Sequence, residues 1–157
     1  MKPSSLTLLG LASILTLSSQ IAFSATQPSG NSVVQPTQNL VAQASASTIA
    51  SGNFIAAEQP TQGTFRIVTE NRQRYLELGQ TFKTNNGPDL HVILYRTDAP
   101  PQSGLRGQDY IILGRLQKVN GVQRYAIPAN VNLANFHSAA IWCRRFNATF
   151  GYGKLGG

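Results

Sequence analysis

An all-β fold, a single antiparallel β-sandwich or flattened barrel, is what the sequence predicts, and three observations predict it. From Ser51 onward short apolar or alternating runs are broken by turn residues about every ten positions. Asn120-Gly121 sits between two such runs and is the strongest short-range hairpin signal a sequence offers. No stretch of about twelve residues carries a helical period of apolar residues.

The elements follow in order. Phe65 to Thr69 and Arg74 to Leu78 flank Glu70-Asn71-Arg72-Gln73 and predict a hairpin, with Leu76 and Leu78 on the face opposite Tyr75 and Glu77. The turn Asn86-Gly87-Pro88-Asp89 launches Leu90 to Tyr95. There Leu90, Val92 and Leu94 point one way and His91, Ile93 and Tyr95 the other, the two-sided apolar pattern of a central strand. Thr97 to Asp109, with Pro100, Pro101, Gly104 and Gly107, is long enough for a lid or mobile rim. Tyr110 to Val119 and Val122 to Ile127 are expected to pair through Asn120-Gly121, and Pro128 ends the second run. After a corner at Asn130 to Ser138, the last two strands are expected at Ala139 to Cys143 and Phe146 to Phe150, with Arg144-Arg145 as the bend.

Ahead of this β region the 157-residue chain has a different character. Met1-Lys2, an apolar run from Leu6 to Leu17 and the small-residue stretch Ala22-Phe23-Ser24 read as a secretory signal peptide over residues 1–24. The run is shorter than the roughly 20 residues a bilayer span needs, so no transmembrane segment is expected after cleavage. Residues 25–50 lack charge and are rich in Gln, Ser, Thr, Asn and Ala, which predicts a flexible polar linker unable to bury enough surface to offset its ordering entropy. Residues 51–157 are then the folded domain. The protein is expected to be exported, to the periplasm or beyond.

Charge and cysteine usage narrow the chemistry. Loss of Lys2 leaves 12 Lys+Arg against 6 Asp+Glu, a net charge of +6. The cations are scattered through strands and turns, with no basic helix and no stacking motif, which argues against nucleic acid and leaves weak attraction to acidic cell-surface components. Cys143 is the only cysteine, so in an oxidising compartment it is buried and inert, paired between molecules, or functional. Alternation puts it on the face of Ala139 and Ile141, opposite Trp142, as a small buried hydrophobe. Arg144 and Arg145 follow it, and nearby cations favour a reactive thiolate.

Ordinary catalytic constellations are absent. No serine lies in a Gly-x-Ser-x-Gly turn, and a Cys143, His91 or His137, and Asp89 arrangement would place its nucleophile in an apolar strand instead of an exposed elbow. Paired zinc spacings are missing, and a copper set of two histidines and one cysteine would lack methionine, since Met1 leaves with the signal peptide. No metal site is expected. Cys143 thiolate or one of the histidines, His91 and His137, could ligate a haem, while each histidine by its spacing alone is an ordinary strand or loop residue.

The run from Ser51 to Leu155 resembles the DM-thirteen domain, an extracytoplasmic β-domain found beside DOMON domains. The resemblance is carried by Gly52-Asn53-Phe54, Gly63-Thr64-Phe65, Asn86-Gly87-Pro88-Asp89-Leu90-His91-Val92 and Leu113-Gly114-Arg115-Leu116. It continues through Gly121 to Pro128 (GVQRYAIP), Ala140 to Phe146 (AIWCRRF) and Phe150 to Leu155 (FGYGKL). It implies electron transfer around the cysteine of the Trp-Cys step, here Cys143, acting as a bare redox thiol or as the ligand of a prosthetic group such as haem. An extracytoplasmic redox partner is implied with it. Members often carry a histidine shortly before the early glycine, where this chain has Glu58-Gln59-Pro60 ahead of Gly63, so no second ligand is implied from that loop. The alternative function is a binding or adhesion module with Cys143 in its core and the Thr97 to Asp109 rim holding the ligand.

Overall fold

The computed structural model describes residues 46–156, and the signal-peptide expectation and most of the linker expectation lie outside them. Strand β1 (Ser47–Asn53) takes in the last residues assigned to the linker. It forms because its backbone finds a partner in β4 (Thr64–Glu70), which alternation alone could not show in so polar a stretch. Next comes β5 (Gln73–Leu78), joined to β4 by Asn71-Arg72, both at positive φ (50° and 64°), the two-residue left-handed turn whose twist matches a hairpin. Leu76 and Leu78 are buried while Tyr75 and Glu77 are only partly covered, as their alternation requires.

The other strands are β2 (Ile55–Ala56), β3 (Thr61–Gln62), β6 (Lys83–Thr84), β7 (Leu90–Tyr95), β8 (Tyr110–Arg115), β9 (Gln123–Ile127), β10 (Ser138–Cys143) and β11 (Ala148–Lys154). One sheet has the order β1-β4-β5-β9, the second β2-β11-β10-β7-β8, and β3-β6 forms a small two-stranded ladder. All pairings are antiparallel. The architecture is an open sandwich and not a closed barrel. Between the sheets lie Phe65 and Ile67 of β4, Leu76 and Leu78 of β5, Tyr125 and Ile127 of β9, Leu90, Val92 and Leu94 of β7, and Ala139, Ile141 and Cys143 of β10. Every residue of β7 and β10 is buried, because the outer face of their sheet carries a second apolar cluster of Ile93, Tyr95, Ala140, Trp142 and Leu105.

Three expectations are corrected. Asn120-Gly121 does not close a hairpin between β8 and β9. Here β8 pairs with β7 in one sheet and β9 with β5 in the other, so Gly121 (φ 77°) serves a corner between sheets. The buried Gln123 carboxamide fixes that corner: its Oε1 accepts from the N–H groups of Gln117 and Lys118, and its Nε2 donates to the Lys118 carbonyl. The last strand starts after Phe146, which is exposed in the turn, and runs on through Gly151 and Gly153 to Lys154. Those glycines suit the strand because a Cβ at Gly151 would collide with Thr61, and one at Gly153 with the Phe65 ring and the Asn53 backbone.

Thr97 to Asp109 is also not a free rim. Leu105 is buried in the outer cluster, Thr149 N–H and Oγ1 donate to the carbonyls of Gln102 and Pro101 (each 2.7 Å), and Gly104 N–H donates to the Asn147 carbonyl. The loop is a strap bonded across the outer face of the five-stranded sheet.

Candidate functional site

Cys143 is the last residue of β10, opposite Leu90 of β7 on one side and Ala148 of β11 on the other. The pleat sends its side chain inward among Leu90, Ile141 and the rest of the inter-sheet core, and none of its surface reaches solvent. Trp142 points the opposite way. Its indole is 3% exposed, lies 4.9 Å from the Tyr110 ring and 6.2 Å from the His91 ring (centroid distances), and donates from Nε1 to Asn147 Oδ1 at 3.0 Å.

Asn147 organises the ground around this pair. It lies in the β10–β11 turn at φ 47°, a backbone state that asparagine tolerates better than most residues. Its Oδ1 also accepts from Leu105 N–H, and its Nδ2 donates to the Leu105 carbonyl, both at 3.1 Å. One side chain therefore ties the strap to the indole next to the cysteine. The side chains of Asn147 and Thr149 are thus both engaged, the first in these bonds and the second with the Pro101 carbonyl.

The three residues singled out from the sequence do not converge. His91 opposes Trp142 in register, so its ring lies on the outer face while Cys143 lies on the inner one. His137 precedes β10 at its other end, six positions from Cys143 or about 20 Å of strand, and is exposed with Nδ1 3.5 Å from Asp98 Oδ1. A ligand set shared with Cys143 is thus closed to His91 by the opposite faces of the sheet and to His137 by its distance along the strand. Nor do the arginines face the thiol. Both are exposed, and Arg144 Nε donates to Asp89 Oδ2 at 2.8 Å.

That bond belongs to a polar cluster the sequence did not reveal. His91 Nε2–H donates to Asp89 Oδ1 at 2.9 Å, and the Arg144 N–H donates to the Asp89 carbonyl. The hydrogen bond from His91 and the bond and charge of Arg144 hold the Asp89 carboxyl below the usual carboxylate range against an opposing push from burial. The other His91 nitrogen, Nδ1, is buried without a hydrogen-bond partner. The only sequence signal for this cluster was Asp89 and His91 two residues apart on a strand entry, which share a face by alternation.

A haem held by Cys143 does not fit these residues. The sulfur is enclosed by core side chains, and none of three surface clefts includes it: one is lined by Arg66, Glu77 and Val122, a second by Arg115 and Lys118, and a third by Gly52 and Gly156. Thiol–disulfide exchange, which requires a thiolate to approach along a sulfur–sulfur axis, is likewise closed to a sulfur with no exposed surface.

Fold and site together define a small β-sandwich domain whose lone cysteine is built into the core beside a shielded tryptophan. A family model described as Electron transfer DM13 matches residues 53–155, and the chain belongs to that family. Searches of curated proteins and of solved structures gave no match. Among the described residues no helix is long and apolar enough to cross a membrane.

Proposed function

We propose that this protein is an exported electron-transfer domain in which Cys143, with Trp142 beside it, is the redox centre. The family match over residues 53–155 carries the reading. The signal-peptide pattern of residues 1–24 supports export to the periplasm or beyond. Burial restricts how the centre works: the partner reaches it across a layer of protein and not by bonding to sulfur. Cys143 in the native protein is then expected to resist a bulky thiol reagent and to react once the chain is unfolded in urea. Rapid labelling of the native state would contradict the enclosed site.

A second reading is favoured by one observation, the complete burial of Cys143, whose sulfur makes no hydrogen bond among the described residues. In it the cysteine only fills the core, and the protein is a binding or adhesion module presenting the Thr97 to Asp109 strap. The two separate by mutation. Cys143→Ala abolishes electron transfer on the first reading and leaves ligand binding intact on the second. Deleting Pro100 to Gly107 removes binding only on the second.

A further inference from the structure

Strand ends and turns bring an unusual surface together next to the buried cysteine. β7 begins, β8 ends, β10 ends and β11 begins at the same end of the five-stranded sheet. With neighbouring strands about 4.8 Å apart, these four ends span roughly 15 Å. Exposed Arg115 ends β8 and exposed Lys118 follows it, and exposed Arg144 and Arg145 follow β10. Lys83 joins them through its bridge to Asn120. Of the acids, Asp89 is already engaged by His91 and Arg144, and Glu58 lies at the margin, its N–H bonded to the Thr149 carbonyl. The other carboxylates are elsewhere: Glu70 and Glu77 pair with Arg124 on the four-stranded sheet, Asp98 pairs with Lys154 at the opposite end of β11, and Asp109 precedes β8 at that strand's far end.

Two further features give this end a shape. A cleft of about 260 Å³ opens between Asn86-Gly87 and Arg115 to Val119, with Arg115 and Lys118 on its wall and Leu90, the strand partner of Cys143, among its lining residues. Phe146, in the turn after Arg145, is 65% exposed, a large ring left in water amid cations.

We propose that this end of the sandwich is a docking face for a protein with an acidic surface, which on the electron-transfer reading is the redox partner. Positive charge gathered on one face speeds and orients encounter with a negative partner. An exposed aromatic ring on such a face supplies the apolar contact that a free anion cannot use. A partner seated here lies over the strand ends nearest Cys143, with Leu90 between.

The test uses the full chain and two probes at low ionic strength, read by the amide signals of its NMR spectrum. Hexacyanochromate(III), a paramagnetic trianion, is expected to broaden the amides of Asn86 to Leu90, Gln117 to Val119 and Arg144 to Phe146 before any others. The trication tris(ethylenediamine)chromium(III) should leave them sharp. In the triple substitution Arg115→Gln, Lys118→Gln, Arg145→Gln the broadening should fall by roughly threefold or more, as for loss of steering charges. An acidic [2Fe–2S] ferredoxin, used as the probe protein, is expected to perturb the same amides, and Phe146→Ser should weaken its binding without changing the broadening by hexacyanochromate. Broadening spread evenly over Arg66, Arg72 and Arg106 overturns the proposal. So does a ferredoxin that perturbs none of these amides, or a Phe146→Ser variant that binds it unchanged, which would reduce the face to a small-anion site. Neither probe depends on the chemistry of Cys143, so a redox-silent cysteine leaves this face standing, and a dispersed map leaves the electron-transfer reading standing.

Discussion

Cys143 and Trp142 are consecutive residues with opposite surroundings, and the difference sets what each substitution does. A serine at position 143 would bury a hydroxyl where the sulfur has no hydrogen-bond partner among the described residues, so Cys143→Ser is expected to lower stability by about 1–3 kcal/mol in urea unfolding. Cys143→Ala, which adds no polar atom, should be the milder variant and the better functional control. Asn147→Ala removes acceptors from Trp142 Nε1 and Leu105 N–H and a donor from the Leu105 carbonyl. A loss of about 2–4 kcal/mol is expected from leaving two partly buried donors unpaired, together with faster amide exchange at Leu105 as the strap loosens. The inward face of Cys143 was readable from alternation with Ala139 and Ile141. The role of Asn147 was not, because Leu105, which it bonds twice, lies 42 residues away in a loop and its positive φ leaves no mark in the sequence.

At the scale of elements, strands with strong alternation or a two-sided apolar pattern were legible, and the choice of partner was not. Asn120-Gly121 marks a turn wherever it occurs, but whether the flanking strands pair with each other depends on which sheet edge each can reach. Here β5 and β7 claim β9 and β8 separately. Nor did the haem or histidine alternatives for Cys143 have a local signal to decide them, since the register of β7 against β10 is a long-range property. The glycines of β11 looked like a strand end because β-propensity counts against them, yet they are fitted to Thr61 and Phe65. Gly153→Ala should therefore destabilise the sandwich by about 1–3 kcal/mol through forced movement of the Phe65 ring or the backbone. The β4–β5 turn offers the reverse case. Arg72, at φ 64° and exposed, sits in a left-handed state that costs a side chain about 1 kcal/mol, so Arg72→Gly should raise the unfolding midpoint slightly.

For the whole molecule, charge placement governs both stability and encounter. Asp89 and Asp98 both have carboxyls held below their usual range, the first chiefly by the His91 hydrogen bond and the second chiefly by that of Lys154. A carboxylate with a depressed folded pKa contributes stability that is complete above the unfolded value, near 3.9, and is lost as pH falls through the folded value. Thermal unfolding is thus expected to be insensitive to these two groups near neutrality and to fall at acid pH. Asp89→Asn should flatten that acid limb by removing one of the two groups. The export pattern, the family match and the cationic end nearest the cysteine fit the proposed module that meets its partner outside the cytoplasm; none of the three depends on the chemistry of Cys143, and electron transfer through that residue is a separate claim.

Voltammetry of the full chain, purified from its own host and adsorbed on a negatively charged monolayer electrode, tests that claim most directly. The account predicts a reversible wave for the native protein that disappears in Cys143→Ala while circular dichroism shows the fold intact. A wave unchanged in Cys143→Ala, or no wave from the folded native protein, would contradict it.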